Sequence, residues 1–595
     1  MLKTYGKLLD LLTPQERIRF WILVGLSFVL SVVEAVSVLS ILPFLQLLAN
    51  PELIETNETV AWVYGALGFT DPTRFLIWTG VAVFIVTVFG LIMKAFGVWL
   101  TTRFALMRAY SISSRLLTAY LHQPYAWFLS RHSSQINNMV LAETNRVVWE
   151  ALLPAVRIIP EVFTVLLLVG ALCLIEPWIS IGGAILLGGI YGLIYLAVRR
   201  WLGRLGEIQL TRNRDRFHVV QEATGGVKEL KIMGLESQFI TRFRDAALPM
   251  AKVQSTTQVI IQMPRFALEA TAFGGMILLI LYLLATRTGN LVDIIPMLGV
   301  IATVGLRLIP ALQQIYFRLS SLRQSQPVLQ RVHDDMGLAY STDHLAPEPL
   351  HMERALSLHN VGYNYPDAER PALNGVTITI EKNTSVGIVG GTGAGKTTLV
   401  DIILGLLHPG SGKIEVDDAL VTDENRTAWQ RSLGYVPQTI FLSDGTVAQN
   451  IAFGVPDDEI DMAAVEKAAR IAALHDFIVT ELADGYQTRT GERGVRLSGG
   501  QRQRIGIARA LYHNPSMLIF DEATSALDNL TEAAVMSAVS AIAGQKTIVM
   551  IAHRLSTVRN CDQIYLFEKG KVIAAGSYDA LLETSEEFRR LAAGS

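Results

Sequence analysis

Ser385-Val386-Gly387-Ile388-Val389-Gly390-Gly391-Thr392-Gly393-Ala394-Gly395-Lys396-Thr397-Thr398 runs from an apolar strand through a glycine-rich turn into a helix. The turn fits G-x-x-x-x-G-K-[ST], and its position between strand and helix is the context that motif requires. Glycines let backbone N–H groups close around phosphate oxygens, and a helix N-terminus adds positive potential. Lys396 is placed to neutralise β- and γ-phosphates, and the Thr397 hydroxyl to hold Mg²⁺. Downstream, Met517-Leu518-Ile519-Phe520-Asp521-Glu522 is an apolar strand ending in two carboxylates. Asp521 would support Mg²⁺ and Glu522 would polarise an attacking water. Taken alone, a capping box or a solvated turn acid is the lesser alternative.

Around this core, short β-rich runs alternate with helical stretches: 385–389, 433–436, 517–520, 547–551 and 563–567. Alternation of this kind predicts a mostly parallel α/β sheet. The α/β half begins near residue 355, after a proline-bearing linker over 324–354.

The first 323 residues have a different texture. Hydrophobic residues make up 51% of the chain and charged ones only 17%, against about 25% charged in soluble domains. That balance argues against a disordered chain and an all-soluble enzyme. The two cysteines, Cys173 and Cys561, are too few for a disulfide scaffold or a metal cluster. A net charge of −2 gives no global pull towards nucleic acid. Six runs approach the 20 apolar residues a bilayer span needs: 20–48, 76–100, 155–175, 179–197, 266–285 and 294–317. Residues 2–12 read as an amphipathic helix on the membrane surface. Basic residues concentrate between spans two and three and between spans four and five. By the positive-inside rule, the N-terminus and the α/β half are therefore expected in the cytoplasm. The two basic segments carry few turn signals and read as helical extensions of the spans. In the first outer loop, 60–67, with Trp62 and Tyr64, reads either as a short interfacial helix or as an ordinary loop.

Leu497-Ser498-Gly499-Gly500-Gln501 lies between the phosphate loop and the Asp-Glu strand end. This pentapeptide resembles the signature of ABC-type ATPases, and other elements of that family follow in order. By resemblance, Tyr365 is the aromatic that stacks on adenine and Gln438 belongs to the glutamine loop that meets Mg²⁺. Glu492 matches the acidic loop of exporters, Asp528 the D-loop and His553 the switch histidine at the γ-phosphate. A lone His553 could also be a core histidine. Six spans fused ahead of such an ATPase resemble an exporter half-transporter of type I/IV. The expected fold is thus an all-α membrane domain followed by an α/β P-loop domain. The resemblance implies ATP and Mg²⁺ as cofactors, with Gly390 through Thr398 and Tyr365 contacting the nucleotide, and a homodimer in a bacterial inner membrane. In that family Ser498, Gly499, Gly500 and Gln501 of one subunit close on ATP held by the other, with Asp528 beside them. Glu522, Gln438 and His553 carry catalysis; Thr397, Gln438 and Asp521 carry the metal. ATP binding closes the sandwich and hydrolysis releases it.

Ionisable residues inside spans mark candidate substrate contacts. At about 1.5 Å per residue, Arg265, Arg307 and Lys94 lie roughly 30, 24 and 27 Å below the outer ends of their helices. That is inner-leaflet head-group depth, suited to a lipid phosphate or pyrophosphate. Simpler roles are an i, i+4 pair of Arg265 with Glu269, another of Arg157 with Glu161, and snorkelling by Lys94. Glu222-Ala223-Thr224-Gly225-Gly226-Val227-Lys228-Glu229-Leu230-Lys231 and the outer element near Trp62 are similar to the flippases of lipid-linked oligosaccharides in bacterial N-glycosylation. This implies a polyprenyl-pyrophosphate oligosaccharide as substrate and gives 60–67 a part in handling it. Other lipids or hydrophobic drugs are alternatives, as is an ATP-gated channel or regulator.

Overall fold

The computed structural model describes the chain except residues 1, 176, 287–290, 339–347, 367, 492–493, 523–531, 533–536, 538–543, 553 and 594–595. The side chains of 282–303 and of a few scattered residues also lie outside the description. Two compact units emerge. One holds Met1–Gln123 with Trp127–Ser341, the other Pro124–Ala126 with Thr342–Ser595.

In the first unit, Thr13 and Glu16 form a reciprocal capping box that starts the helix Pro14–Leu39. The first apolar run then breaks at Ser40 and resumes as Ile41–Ala49. The second run lies in one helix of 50 residues, Pro72–Leu121, and the fourth in one of 49, Pro177–Gly225. Leu153–Ile175, Pro264–Thr286 and Leu291–Gln324 contain the third, fifth and sixth runs. Among the described residues, four helices are long and apolar enough to cross a membrane. Their outward faces are apolar too: Ile77, Trp78, Phe84, Ile85 and Ile92 are all exposed on Pro72–Leu121. In water such a face would be costly, whereas lipid accepts it.

Helix contacts in this unit use small residues, as expected where lipid supplies no hydrophobic drive between helices. A Cβ on Gly206 would come within 2.1 Å of the Gln324 carbonyl, so glycine allows these two helices to touch. The N-terminal helix Leu2–Asp10 does not simply lie on a surface. Leu8, Leu11 and Leu12 are buried in a protein cluster with Phe20, Val147 and Val328. Ahead of Leu153, the chain makes two π-helical turns, Asn138–Glu143 and Val148–Leu152. The proline-bearing linker contains an ordered helix, Gln326–Met336.

Among its described residues the second unit has ten strands: β1 (Ala355–Tyr363), β2 (Leu373–Glu381), β3 (Ser385–Gly390), β4 (Ser411–Val416), β5 (Ala419–Leu420), β6 (Leu433–Val436), β7 (Met517–Asp521), β8 (Thr547–Ile551), β9 (Gln563–Glu568) and β10 (Lys571–Gly576). Six form a sheet in the order β10-β9-β3-β8-β7-β6, parallel except for β10. Four form an antiparallel sheet, β2-β1-β4-β5. Along β7, Met517 and Ile519 face one core while Leu518 and Phe520 face the other. Period-two alternation thus buries both faces, which is why a parallel strand reads as continuously apolar.

The helix Lys396–Ile403 packs into this core, and Trp429 is fully buried against it with its indole N–H donating to the Ile403 carbonyl at 2.7 Å. The same helix buries a carboxylate, Asp401. Burial pushes its carboxyl up to about 6, and the negative charge of Asp521 adds to the effect.

Two stability tests follow from this packing. Trp429→Phe leaves the buried Ile403 carbonyl without its donor, a loss of about 1–3 kcal/mol, seen as a lower melting temperature of the full-length protein. An acid whose folded value exceeds its unfolded one stabilises the fold fully below the unfolded value, about 3.9 for Asp. That contribution disappears as pH climbs through about 6. Wild type minus Asp401→Asn should therefore show falling stability between those two values, with the variant more stable at neutral pH. A difference that is flat with pH would contradict the burial account.

Candidate ATP site and membrane charge cluster

Parallel strands deliver their carboxyl ends to one edge of the sheet, the usual place for a ligand in α/β folds. β3 ends in the glycine-rich loop, β6 leads to Gln438, and β7 ends at Asp521. Gly395 takes φ +101° at the N-cap of Lys396–Ile403, and a Cβ there would meet the Ala372 carbonyl at 2.5 Å. Gly390 is equally confined, since its Cβ would lie 2.3 Å from the Phe567 carbonyl. Only glycine lets the loop run this close to its neighbours.

Lys396 is buried, with its ammonium donating to the carbonyls of Gly390 at 2.7 Å and Gly391 at 3.2 Å. Burial lowers its pKa, while the carboxylates of Glu522 and Asp521 pull it back up. Thr397 follows it on the same helix. The Thr398 hydroxyl and the Tyr365 hydroxyl are 3.2 Å apart, which ties the expected adenine-side aromatic to the loop helix. Thr392, Gly393 and Ala394 complete the turn, with Gly393 at φ +77°.

On β7, Asp521 accepts from the Tyr435 hydroxyl at 3.4 Å. Glu522 holds φ +51°, rare for a residue with a side chain. Its amide donates to the Ile551 carbonyl at 3.1 Å, and its carboxylate accepts from the Gln438 side-chain amide at 2.6 Å. Gln438, Glu522, Asp521 and Lys396 are thus brought together. Sequence reasoning did not single out Asp401 or Tyr435, although a lone acid within Leu399-Val400-Asp401-Ile402-Ile403 was a visible signal.

Ser498 caps the helix Gly499–Tyr512 in a second reciprocal box. Its hydroxyl accepts from the Gln501 amide at 3.2 Å, and the Gln501 side chain accepts from the Ser498 amide at 2.8 Å. Gly499 and Gly500 supply the first turn of that helix. Glu492, Asp528 and His553 lie outside the described residues.

The residues around Asp521 suit a hard divalent cation. A Thr397 hydroxyl, the Gln438 amide oxygen and the Asp521 carboxylate are all oxygen donors, the class Mg²⁺ prefers. Gln438 gives its N–H to Glu522 and keeps its oxygen for a cation. Among the described residues there is no cluster of three or more His, Cys, Asp or Glu able to hold a metal. A cation held largely by phosphate oxygens and water needs none.

In the membrane unit the spanning charges find partners. Lys94 pairs with Glu34 at 2.5 Å, and Arg307 approaches the same carboxylate oxygen at 3.8 Å. Thr164 donates to the other oxygen of Glu34 at 3.3 Å. Arg157 and Glu161 do not form the i, i+4 pair considered from sequence. Arg157 donates to the Thr102 hydroxyl, and Glu161 meets Arg318 at 3.7 Å. Glu161 also lies within electrostatic reach of Lys94, Glu34 and Arg157. Arg265 is exposed and paired with Glu269 at 2.6 Å, the simpler of its two expected roles. In the first outer connection, Glu58–Ala66 is a helix capped by Asn57, not an irregular loop. With Leu47, Phe75 and Trp78 it lines an apolar cavity of about 510 Å³.

Residues 21–299 match the family profile described as ABC transporter transmembrane region, and 373–525 match ABC transporter. An ATP-dependent lipid A-core flippase of Cupriavidus metallidurans is 33% identical over 472 residues, covering 78% of this chain and 77% of that one. Its counterpart in Cupriavidus pinatubonensis is 30% identical over 476 residues, covering 78% of both. Among solved structures, a bacterial Atm1-family ABC exporter with ATP bound superposes with TM-score 0.80 at 23% identity, covering 98% of each chain. On these matches, and with a phosphate loop and membrane helices in one chain, the protein belongs to the ABC transporter family, as an exporter half-transporter whose ATPase is coupled to translocation.

Proposed function

We propose that this chain forms a homodimer in a bacterial inner membrane, with its ATPase domain cytoplasmic, and flips a phosphorylated glycolipid towards the outer leaflet. The observation that carries the substrate reading is the charge cluster around Glu34 and Glu161. Lys94, Arg157, Arg307 and Arg318 bring four cations to these two carboxylates. Lys94 and Arg307 keep 39% and 31% of their side-chain surface exposed, so an incoming phosphate can reach them. Charges inside a membrane are costly and tend to be retained for function. A polyprenyl-pyrophosphate oligosaccharide has the required chemistry. So does the lipid A-core glycolipid for which the relatives are named, and their identity to this chain favours it as the second reading.

On the ATP side, Lys396 exchanges its loop carbonyls for phosphate oxygens, and Tyr365 receives the adenine. Thr397, Gln438 and Asp521 would hold Mg²⁺, which offsets charge on the β- and γ-phosphates. Glu522 polarises the attacking water, and Gln438 orients its carboxylate. His553 contacts the γ-phosphate. Ser498, Gly499, Gly500 and Gln501 of the second copy, with Asp528 nearby, close the other side. Contacts made only with triphosphate bound drive closure, and hydrolysis removes them.

Glu522→Gln should retain ATP binding while lowering turnover by about 10²–10⁴-fold, the usual span for a lost general base; unchanged turnover would overturn its assignment. In proteoliposomes, Lys94→Gln combined with Arg307→Gln and Glu34→Gln should keep basal ATPase activity and abolish flipping of labelled glycolipid. Including Glu34→Gln avoids leaving a largely covered carboxylate without its cations. The assay runs a pyrophosphate-linked glycan and a lipid A-core side by side, and whichever flips names the substrate. If the triple variant still flips both, the phosphate reading fails.

A further inference from the structure

A second basic site lies in the membrane unit, built from residues outside the Glu34 cluster. It is a cavity of about 330 Å³ between the N-terminal helix, Pro177–Gly225 and the end of Leu291–Gln324. Arg199, Arg200 and Arg323 line it, and no acidic residue does. Among the described residues, none of the three guanidinium groups has a carboxylate within salt-bridge distance. Three unbalanced cations in one cavity repel each other and create a positive potential that an anion relieves.

The cavity is also held in shape. Arg323 donates through Nε to the Arg199 carbonyl at 3.1 Å and bonds the Gln326 side chain. Gln326 in turn donates to the Thr4 hydroxyl at 2.8 Å. Tyr5 is anchored by its hydroxyl to the Ala155 carbonyl at 2.9 Å, so the N-terminal helix forms a fixed wall. Arg323 is thereby aimed by hydrogen bonds, while Arg199 and Arg200 remain exposed.

Its level in the membrane follows from the sequence. The apolar run of 179–197 ends two residues before Arg199, which puts the arginines at the boundary between hydrocarbon and head groups. Tyr5 and Tyr195 line the same cavity, matching the aromatic belt of membrane interfaces. Basic pockets between helices at this level suit anionic head groups.

We infer that this cavity binds a phosphate-bearing anion, namely the head group of an anionic phospholipid of the cytoplasmic leaflet. The lipid docks the N-terminal helix against the ends of the fourth and sixth membrane helices. That it is not cargo rests on the proposed function, in which cargo meets the Glu34 charge cluster, whose residues this cavity does not share.

The test uses the full-length protein in vesicles of mixed phosphatidylcholine and phosphatidylglycerol, released gently and weighed by native mass spectrometry. The wild type should retain phosphatidylglycerol in preference to phosphatidylcholine. Arg199→Gln with Arg200→Gln should weaken that retention roughly thirtyfold, the effect of removing two interfacial charges. Neither side chain makes a structural hydrogen bond among the described residues, and the Arg199 carbonyl that holds Arg323 is kept. Basal ATPase activity should stay within a factor of about two, which checks folding. Arg103→Gln with Arg214→Gln removes the same charge elsewhere and should retain the lipid. Added inorganic phosphate separates the sources: displacement of phosphatidylglycerol assigns the site to free phosphate groups, and resistance assigns it to the lipid. Equal retention of both lipids by the wild type overturns the site. So does undiminished retention in the pocket variant, or equal loss in the control.

Discussion

Parallel pairing of three strands governs the ATPase half. Ser385 of β3 pairs with Ile548 of β8, and Thr547 of β8 pairs with Met517 of β7. Strands joined in this register finish at one edge. The glycine-rich loop and the Asp521-Glu522 pair therefore emerge at the same edge, with only β8 between them and no direct bond needed to bring them there. The order is held by burial on both faces, not by the loops. That separation of duties lets Glu522 keep a strained backbone and Lys396 keep a buried ammonium, since the sheet stabilises what the site costs.

The membrane half obeys a different constraint. In hydrocarbon, a charge must find a partner or leave. Glu34 gathers a lysine, an arginine and a threonine from three other helices, and Glu161 gathers an arginine from the sixth. These contacts staple the bundle as well as charging it. One carboxylate satisfied by several helices cannot be moved without disturbing all of them. On the proposed function, translocation amounts to a trade in which the substrate's anionic group competes with Glu34 and Glu161 for the same cations.

Much of this was legible in the sequence, for physical reasons. Continuous apolar runs read correctly both as long helices and as buried parallel strands, and the phosphate loop declared its strand and helix. Legibility failed where structure depends on non-local choice. The antiparallel sheet of β1, β2, β4 and β5 was not foreseen, because β1 and β2 are exposed at several positions along their length and register shifts interrupt β1. Partner choice was also hidden: Arg157 and Glu161 stand four apart, yet each turns to a different helix. The N-terminal helix looked like a surface element because its leucines signal an apolar neighbour without saying whether that neighbour is lipid or protein. Ser40 and the π-helical turns leave no local breaker to read.

The 50 residues of Pro72–Leu121 have one more consequence. At about 1.5 Å each they make a rod of roughly 75 Å, of which a bilayer accounts for only about 30 Å. Roughly 45 Å of unbroken helix is left outside the hydrocarbon on the same calculation. A rod that long acts as a lever with its fulcrum in the membrane. Tilting it by about 10° carries its far end about 8 Å, while a point a few ångströms from the fulcrum hardly moves. Mechanical advantage of that order would convert a large, soft displacement at one end into a short, forceful one at the other.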